Sequence, residues 1–460
     1  MALTDVFGKI DTNLDRYVRE LKELLAIPSV STYSRHRGDV RRAAEWVLNH
    51  CKRMGLEAQL HDTAGHPVVT ASRCPHPHRP TLLIYGHYDV QPAEPEEEWN
   101  TPPFQPTVRD EFIYARGASD DKGQFFTYLK ALEVVLAARG DLPINVKLLV
   151  EGEEEIGSPH LGAFLKKHRG QLKADAIAIS DGAQFSDNVP AITYGLRGLA
   201  YMELNVQASR TDLHSGSFGG IAPNPIHALV TLLARLKNPD GTIAIPGFYD
   251  TVAPLELWER EAMGALPFDE EKLKAYLGLS YLCEEPGYNA LESKTARPTL
   301  DINGIWGGFS GEGAKTVIPA KAGAKVSMRL VPHQKPQQIA ELFTRYVTDL
   351  CPKEVQLQVK ALHGAEPVLV SRDLPQMQAA ARAIETGFGV APVFIREGGS
   401  IPIVNLFKKV LGLEAILLLG WGRPDDGAHA PNERFALSDF KNGIRSAAAL
   451  LFEMETCYDG

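Results

Sequence analysis

The chain has 460 residues, 44% of them hydrophobic and 23% charged, which is long enough for two domains, since single cores stop growing near ~250–300 residues. Its formal net charge of −9 argues against nucleic acid or an anionic membrane as partner, because both repel an acidic surface. No apolar run approaches the ~18 residues of a membrane span, the N-terminus lacks the basic start and cleavage site of a secretory signal, and Cys51, Cys74, Cys283, Cys351 and Cys457 are scattered with no CxxC pair, so a cytoplasmic protein without disulfides or a thiolate zinc site is expected.

Residues 3–25 place Val6, Ile10, Leu14, Val18, Leu21 and Leu25 at helical spacing, and Pro28 ends that helix. A second helix is predicted over Val40–Met54 with Gly55 as its cap. Short β-rich runs follow at Glu57–Leu60, Pro67–Ala71 and Thr81–Tyr85. A helix after Lys122 carries Phe125, Leu129, Leu132 and Leu136 on one face. Ile144–Val150 and Ala174–Ile179 read as buried strands, with a helix over 160–168 between them. Strands alternating with helices predict an α/β domain with a mostly parallel central sheet. The pattern changes near Tyr194. Residues 201–206, 322–330 and 355–360 alternate as half-exposed strands do, with helices over Pro223–Leu236 and Pro336–Leu350 and an irregular stretch over 240–295. That mixture predicts an α+β domain with an antiparallel sheet covered on one side. The α/β character returns with a helix over Leu374–Phe388, a strand at Ile416–Leu419 and a last helix from Ser438. The expected organisation is a catalytic α/β domain in two parts, 1–196 and 373–460, interrupted by an inserted domain over 197–372.

Four apolar runs end in loops rich in His or carboxylates: His87 with Asp89, Asp120 with Asp121, Glu151 to Glu155, and Asp181. In open α/β sheets the functional crevice lies at the carboxyl ends of the strands, and acidic groups gathered there repel one another unless a cation neutralises them. With His429 they make an imidazole and carboxylate set suited to Zn²⁺, Mn²⁺ or Co²⁺. Taken singly, each residue has an ordinary reading: an Asp after a strand is a turn residue, Glu151 to Glu155 a solvated acidic face, His87 a hydrogen-bonded core histidine. Their succession in one chain carries the argument. HExxH, GxSxG and GxxxxGK[ST] are absent, which removes the common routes to other hydrolases and to nucleotide binding.

In order, Gly86-His87-Tyr88-Asp89-Val90-Gln91-Pro92, Ser119-Asp120-Asp121-Lys122-Gly123, Glu153-Glu154-Glu155-Ile156-Gly157-Ser158, Ser180-Asp181 and Gly427-Ala428-His429 resemble the metal-binding motifs of the M20 metallopeptidases. Asp212-Leu213-His214-Ser215-Gly216, residues 314–319, residues 329–332 and residues 396–402 resemble the dipeptidase branch, and the insertion Gly247–Gly287 favours it. The resemblance implies two divalent ions per subunit, Zn²⁺ first and Mn²⁺ or Co²⁺ as alternatives. Asp120 would bridge them, His87 and Asp181 would complete one site, and Glu155 and His429 the other. Asp89 would hold the second nitrogen of His87, Glu154 would be the general base, and the Asp120–Asp121 peptide would be cis. The inserted domain would be a lid that also forms a homodimer, with His214 reaching the partner's active site as oxyanion donor. Thr316 and Arg329 would hold the substrate's C-terminal carboxylate, with Gly398, Gly399 and Ser400 nearby. The implied reaction is hydrolysis of dipeptides or short peptides. Deacylation or desuccinylation of N-acyl amino acids is the alternative on the same metal site, and a binding protein that has lost catalysis is a further one.

Overall fold

The computed structural model describes residues 3–399 and 401–457. The chain forms two compact units. One runs to Tyr194 and resumes over Val370–Ile395 and from Leu406. The other comprises Gly195–Leu369 and Arg396–Asn405. The segment Arg396–Asn405, which the sequence places in the returning part of the first domain, thus groups with the second unit. Within that unit Arg396 pairs with Glu259, and Arg197 donates to the Gly398 carbonyl at 2.9 Å.

The first unit is built on a sheet in which Glu57–His61, Val68–Arg73, Asn145–Glu151, Thr81–His87, Ala176–Ser180, Ala415–Gly420 and Ala191–Leu196 are neighbours in that order. The four strands from Asn145–Glu151 to Ala415–Gly420 are mutually parallel. Their carboxyl ends therefore lie along one edge, and the loops that leave them converge. Burial on both faces explains why these strands read as continuous apolar runs rather than alternating ones. Consecutive side chains point to opposite faces: Tyr85 meets Phe407 edge-on at 5.2 Å, whereas a Cβ at Gly86 would lie 2.5 Å from that of Phe125.

Phe125 belongs to the helix Lys122–Arg139, which is buried nearly all round from Lys122 to Val135 rather than on one face. It is covered by the helices Leu3–Leu25 and Leu437–Thr456 as well as by the sheet. Its two buried lysines are tied to neighbouring helices. Lys122 Nζ donates to the carbonyls of Leu24 and Ile27 at 3.2 and 2.7 Å. Lys130 donates to Glu133 at 2.6 Å and to Glu20, and lies 3.0 Å from His50 Nε2. The helix Pro402–Leu411, opened by proline at its first turn, was not expected from the sequence.

In the second unit, Thr299–Gly307, Lys321–Leu330, Gly198–Gln207 and Gln356–Ala365 form a four-stranded antiparallel sheet in that order. Burial alternates strictly along Gly198–Gln207. Its inward side chains Met202, Leu204 and Val206 pack with Val326, Met328, Leu229 of the helix Pro225–Ala234 and Phe343 of the helix Pro336–Leu350. The stretch 240–295, read as irregular, contains three short helices, Leu257–Gly264, Glu270–Leu277 and Ala290–Thr295. The first and third start with reciprocal capping boxes, Glu256 with Glu259 and Asn289 with Glu292. All five cysteines are free, and among the described residues no helix is long and apolar enough to cross a membrane.

Candidate metal centre and substrate-recognition residues

The ends of the parallel strands and the loops that leave them carry His87, Glu155, Asp181 and His429, and the turn into the helix Lys122–Arg139 carries Asp120. His87 is the last residue of its strand and fully buried. Its backbone N–H donates to Asp121 Oδ2 at 3.1 Å, and the peptide between Asp120 and Asp121 is cis. His87 Nε2 stands 3.2 Å from Asp120 Oδ1 and 3.7 Å from Asp181 Oδ2. His429 Nε2 stands 2.9 Å from Asp120 Oδ2 and 3.3 Å from Glu155 Oε2. Asp120 thereby offers one oxygen to each of two ligand groups, His87–Asp120–Asp181 and Asp120–Glu155–His429, and in each the donor atoms lie within 4.8 Å of one another. His429 has the left-handed backbone φ of 63°, a conformation that costs a non-glycine residue roughly 1–2 kcal/mol.

The electrostatics are those of a cation trap. Burial opposes charge on His87, but Asp120, Asp181 and Asp89 outweigh it and raise its pKa well above the usual imidazole range. Hydrogen bonding to Asp120 and Glu155 pushes His429 up to about 10. Asp120, although partly shielded from water, is held below the usual carboxylate range by His429 and His87. Burial and then the charge of Asp120 push Asp181 up to about 6. His87 Nε2 is buried and forms no properly directed hydrogen bond with the oxygens around it. An imidazole nitrogen facing carboxylates is satisfied only by a proton or a cation between them, so these residues fit divalent metals with nitrogen and oxygen ligands.

A third cluster, Glu20, His50 and Glu133, has comparable donors but already contains a cation. The Lys130 ammonium contacts all three residues, and Arg16 pairs with both glutamates. It is an ion network that joins helices.

Asp89 has a somewhat different place from the expected one. His87 Nδ1 is nearer the Asp89 carbonyl oxygen, at 3.1 Å, than its carboxylate, at 3.5 Å. The two carboxylate oxygens accept the N–H groups of Glu154 and Glu155 at 3.3 and 3.2 Å. Glu154 itself belongs to neither ligand group. Burial above all, reinforced by the charges of Asp181, Glu155 and Asp89 against the pull of His87, pushes its carboxyl up to about 8.

Residues 83–453 match the model of peptidase family M20/M25/M40. The chain belongs to this family. As an M20 protein it is a divalent-metal-dependent peptidase, and its relatives match it nearly end to end. The Cys-Gly metallodipeptidase of Schizosaccharomyces pombe is 34% identical over 99% of this chain and 98% of its own length. The human Beta-Ala-His dipeptidase is 34% identical over 98% of this chain and 92% of its own. Among solved structures, human carnosine dipeptidase 1 superposes with a TM-score of 0.83 at 34% identity, covering 99% of each chain. An M20 family metallo-carboxypeptidase from Sulfolobus solfataricus gives 0.84 at 34% identity, over 96% of this chain and 99% of its own.

The remaining candidates lie in the second unit. His214 is exposed, and its Nδ1 accepts the N–H groups of Gly216 and Ser217 at 3.1 and 3.3 Å. The ring proton of the neutral imidazole is thereby placed on Nε2, 3.5 Å from Thr316 Oγ1. Arg329, half-buried rather than exposed, lies on the strand Lys321–Leu330 across from Leu199 and Thr299. Gly398 is half-buried beside Arg197, where a Cβ would lie 2.8 Å from the Lys294 carbonyl; Gly399 is open. Ser400 lies outside the described residues.

Three residues that the sequence reading missed support these candidates, Gln124 and Glu433 within the first unit and Arg197 within the second. Gln124 accepts the N–H groups of Trp421 and Gly422 at 2.6 and 3.2 Å and donates to the carbonyls of Ser119 and Gly182 at 2.8 and 3.1 Å. It thus pins the loops of Asp120, Asp181 and the approach to His429. Glu433 grips the Asp120 loop through four hydrogen bonds. Arg197, whose pKa is lowered to about 10 by burial and then by the charge of Arg329, adds a second cation near that residue. Only the Leu-Arg-Gly pattern around Arg197, an arginine at a strand start, offers a sequence signal.

Proposed function

We propose that this protein is a dipeptidase that uses two divalent metal ions per subunit, Zn²⁺ first and Mn²⁺ or Co²⁺ as alternatives, to cleave dipeptides or short peptides with a free C-terminal carboxylate. The observation that carries the reading is Asp120 shared between two ligand groups, with a half-buried carboxyl, Glu154, beside them and in neither. His87 and Asp181 would hold one ion, Glu155 and His429 the other. When bound, the ions supply Lewis acidity that makes water nucleophilic near neutral pH and polarises the scissile carbonyl.

The chain's own groups do the rest. Asp89 fixes the Glu154–Glu155 backbone and so aims the base. Glu154 takes the proton of the attacking water and returns it to the leaving amine, a double task suited to a carboxyl whose pKa lies near working pH. His214 Nε2–H donates to the carbonyl oxygen as charge builds on it, acting from the partner copy of a homodimer formed by the inserted domain. Arg329 and Thr316 receive the substrate carboxylate, Arg329 through paired N–H donors, with Gly398 and Gly399 nearby. Relatives named for Cys-Gly and Beta-Ala-His dipeptides favour peptides over N-acyl amino acids.

The test is hydrolysis of Cys-Gly, β-Ala-His and other dipeptides beside N-acetyl and N-succinyl amino acids, with chelator and then with each metal restored. Dipeptide cleavage abolished by chelator and restored by metal is expected. Cleavage indifferent to chelator, or a preference for N-acyl amino acids, sinks the proposal.

A further inference from the structure

We infer that Glu433 is a positioning residue that shapes the Asp120 loop before any ion arrives, and that it locks this loop to the one bearing His429. The inference rests on the reading of Asp120 as a shared metal ligand.

Glu433 is completely buried. Its Oε1 accepts the backbone N–H groups of Ser119 and Asp120 at 2.8 and 3.0 Å. Its Oε2 accepts the N–H of Gly117 at 2.9 Å and Arg116 Nη1 at 2.8 Å. Its backbone carbonyl accepts the N–H of Ala115 at 3.1 Å. Three backbone donors from a span of four residues converge on one carboxylate, in the turn that leads into the helix from Lys122. Converging backbone N–H groups form an anion-binding concavity. Here the anion is a side chain of the same protein, so the concavity is filled permanently and its shape does not depend on metal.

Glu433 is four residues beyond His429. The loop that holds both, from Asp426 to Arg434, contains left-handed backbone at Gly427, His429 and Asn432, with φ of 72°, 63° and 64°. It is closed by Ala430 N–H to the Gly427 carbonyl and Arg434 N–H to the Asp426 carbonyl, both at 2.9 Å. One end of this short, constrained loop presents His429 to Asp120 Oδ2, while the other holds the backbone of Asp120 itself. A carboxylate is suited to the post because it accepts at four sites and donates at none. An amide in its place turns two donors toward Arg116 and backbone N–H groups that also donate.

The experiment uses the full-length chain stripped of metal, with Zn²⁺ alone as probe, titrated against a competing chromophoric chelator. Glu433→Gln is expected to weaken Zn²⁺ affinity by ~10–100-fold, the usual effect of removing a group that orients a ligand. A folded Glu433→Gln protein with wild-type affinity overturns the inference, whatever its melting temperature. If that variant does not fold, hydrogen exchange of the wild type decides. The amides of Gly117, Ser119 and Asp120 are expected to be protected equally with and without Zn²⁺, and free exchange in the metal-free protein overturns the inference. Asp120→Asn is measured alongside. Retention of wild-type Zn²⁺ affinity by that variant refutes the ligand reading beneath the inference, which separates the two failures.

Discussion

Changing Gln124 to Glu alters one atom type and leaves shape intact, so its effect can be worked out bond by bond. The amide accepts from Trp421 and Gly422 and donates to Ser119 and Gly182. An ionised carboxylate would face the buried carbonyl of Ser119 and the partly buried carbonyl of Gly182 with no proton to offer. The side chain therefore stays protonated in the fold, keeps both accepted bonds and donates to one carbonyl. The other carbonyl is orphaned, at about 1–3 kcal/mol. The protonated state adds a pH-dependent cost. The unfolded chain ionises near pH ~4.3 and the folded one much higher, so between those values the folded state holds the extra proton. Stability then falls as pH rises, by about 1.4 kcal/mol per unit. Relative to wild type the loss should be about 2–4 kcal/mol at pH 5 and about 5 kcal/mol or more at pH 7. Urea unfolding of both metal-free proteins at the two pH values measures this. A pH-independent loss under about 1 kcal/mol would show that Gln124 does not close the three loops together.

Glu154→Gln should keep its metal, by elemental analysis, and lose ~10²–10⁴ in kcat, the usual contribution of a general base; parallel loss of metal would make Glu154 a ligand instead. His214→Ala should lower kcat by ~10²–10³ with metal content unchanged, and mixed dimers of His214→Ala with Glu154→Gln chains should regain activity. Absence of recovery refutes action from the partner copy. His50 is kept neutral by burial and by the charges of Lys130 and Arg53, with its pKa lowered from 6.5 to about 3. Between those values the unfolded chain holds the extra proton, so this group's contribution is complete above pH 6.5 and is lost as pH falls toward 3. In His50→Gln, unfolding free energy should lose a slope of about 1.4 kcal/mol per pH unit in that window; an unchanged slope assigns the acid sensitivity elsewhere.

Sequence alone exposed what is local. His87, Glu155 and Asp181 each end or closely follow an apolar run, and the parallel sheet brings those run ends to one edge, whereas Asp120 comes from the turn before the helix Lys122–Arg139. The alternation of 201–206 likewise located the strand Gly198–Gln207 and its buried side. What was hidden depends on distant partners. Gln124 bonds residues nearly 300 positions away and Glu433 residues more than 310 away, and no periodicity encodes such pairs. The helix from Lys122 looked one-sided because its apolar stripe is regular, yet Lys122, Gln124 and Lys130 are buried on its other sides through specific bonds. The helices Leu257–Gly264 and Glu270–Leu277 are only eight residues each, about two turns, too short for a helical period to stand out from a charged, proline-bearing stretch.

The bond from Lys122 to the end of the first helix couples that helix to the loop that carries Asp120. Lys122 adjoins the Asp120–Asp121 pair, is fully buried, and finds its acceptors in the carbonyls of Leu24 and Ile27. A protease cut or truncation that removes residues up to Ile27 would take both acceptors from a side chain two positions from Asp120. Damage to the helix Leu3–Leu25 would then register at the loop that carries Asp120.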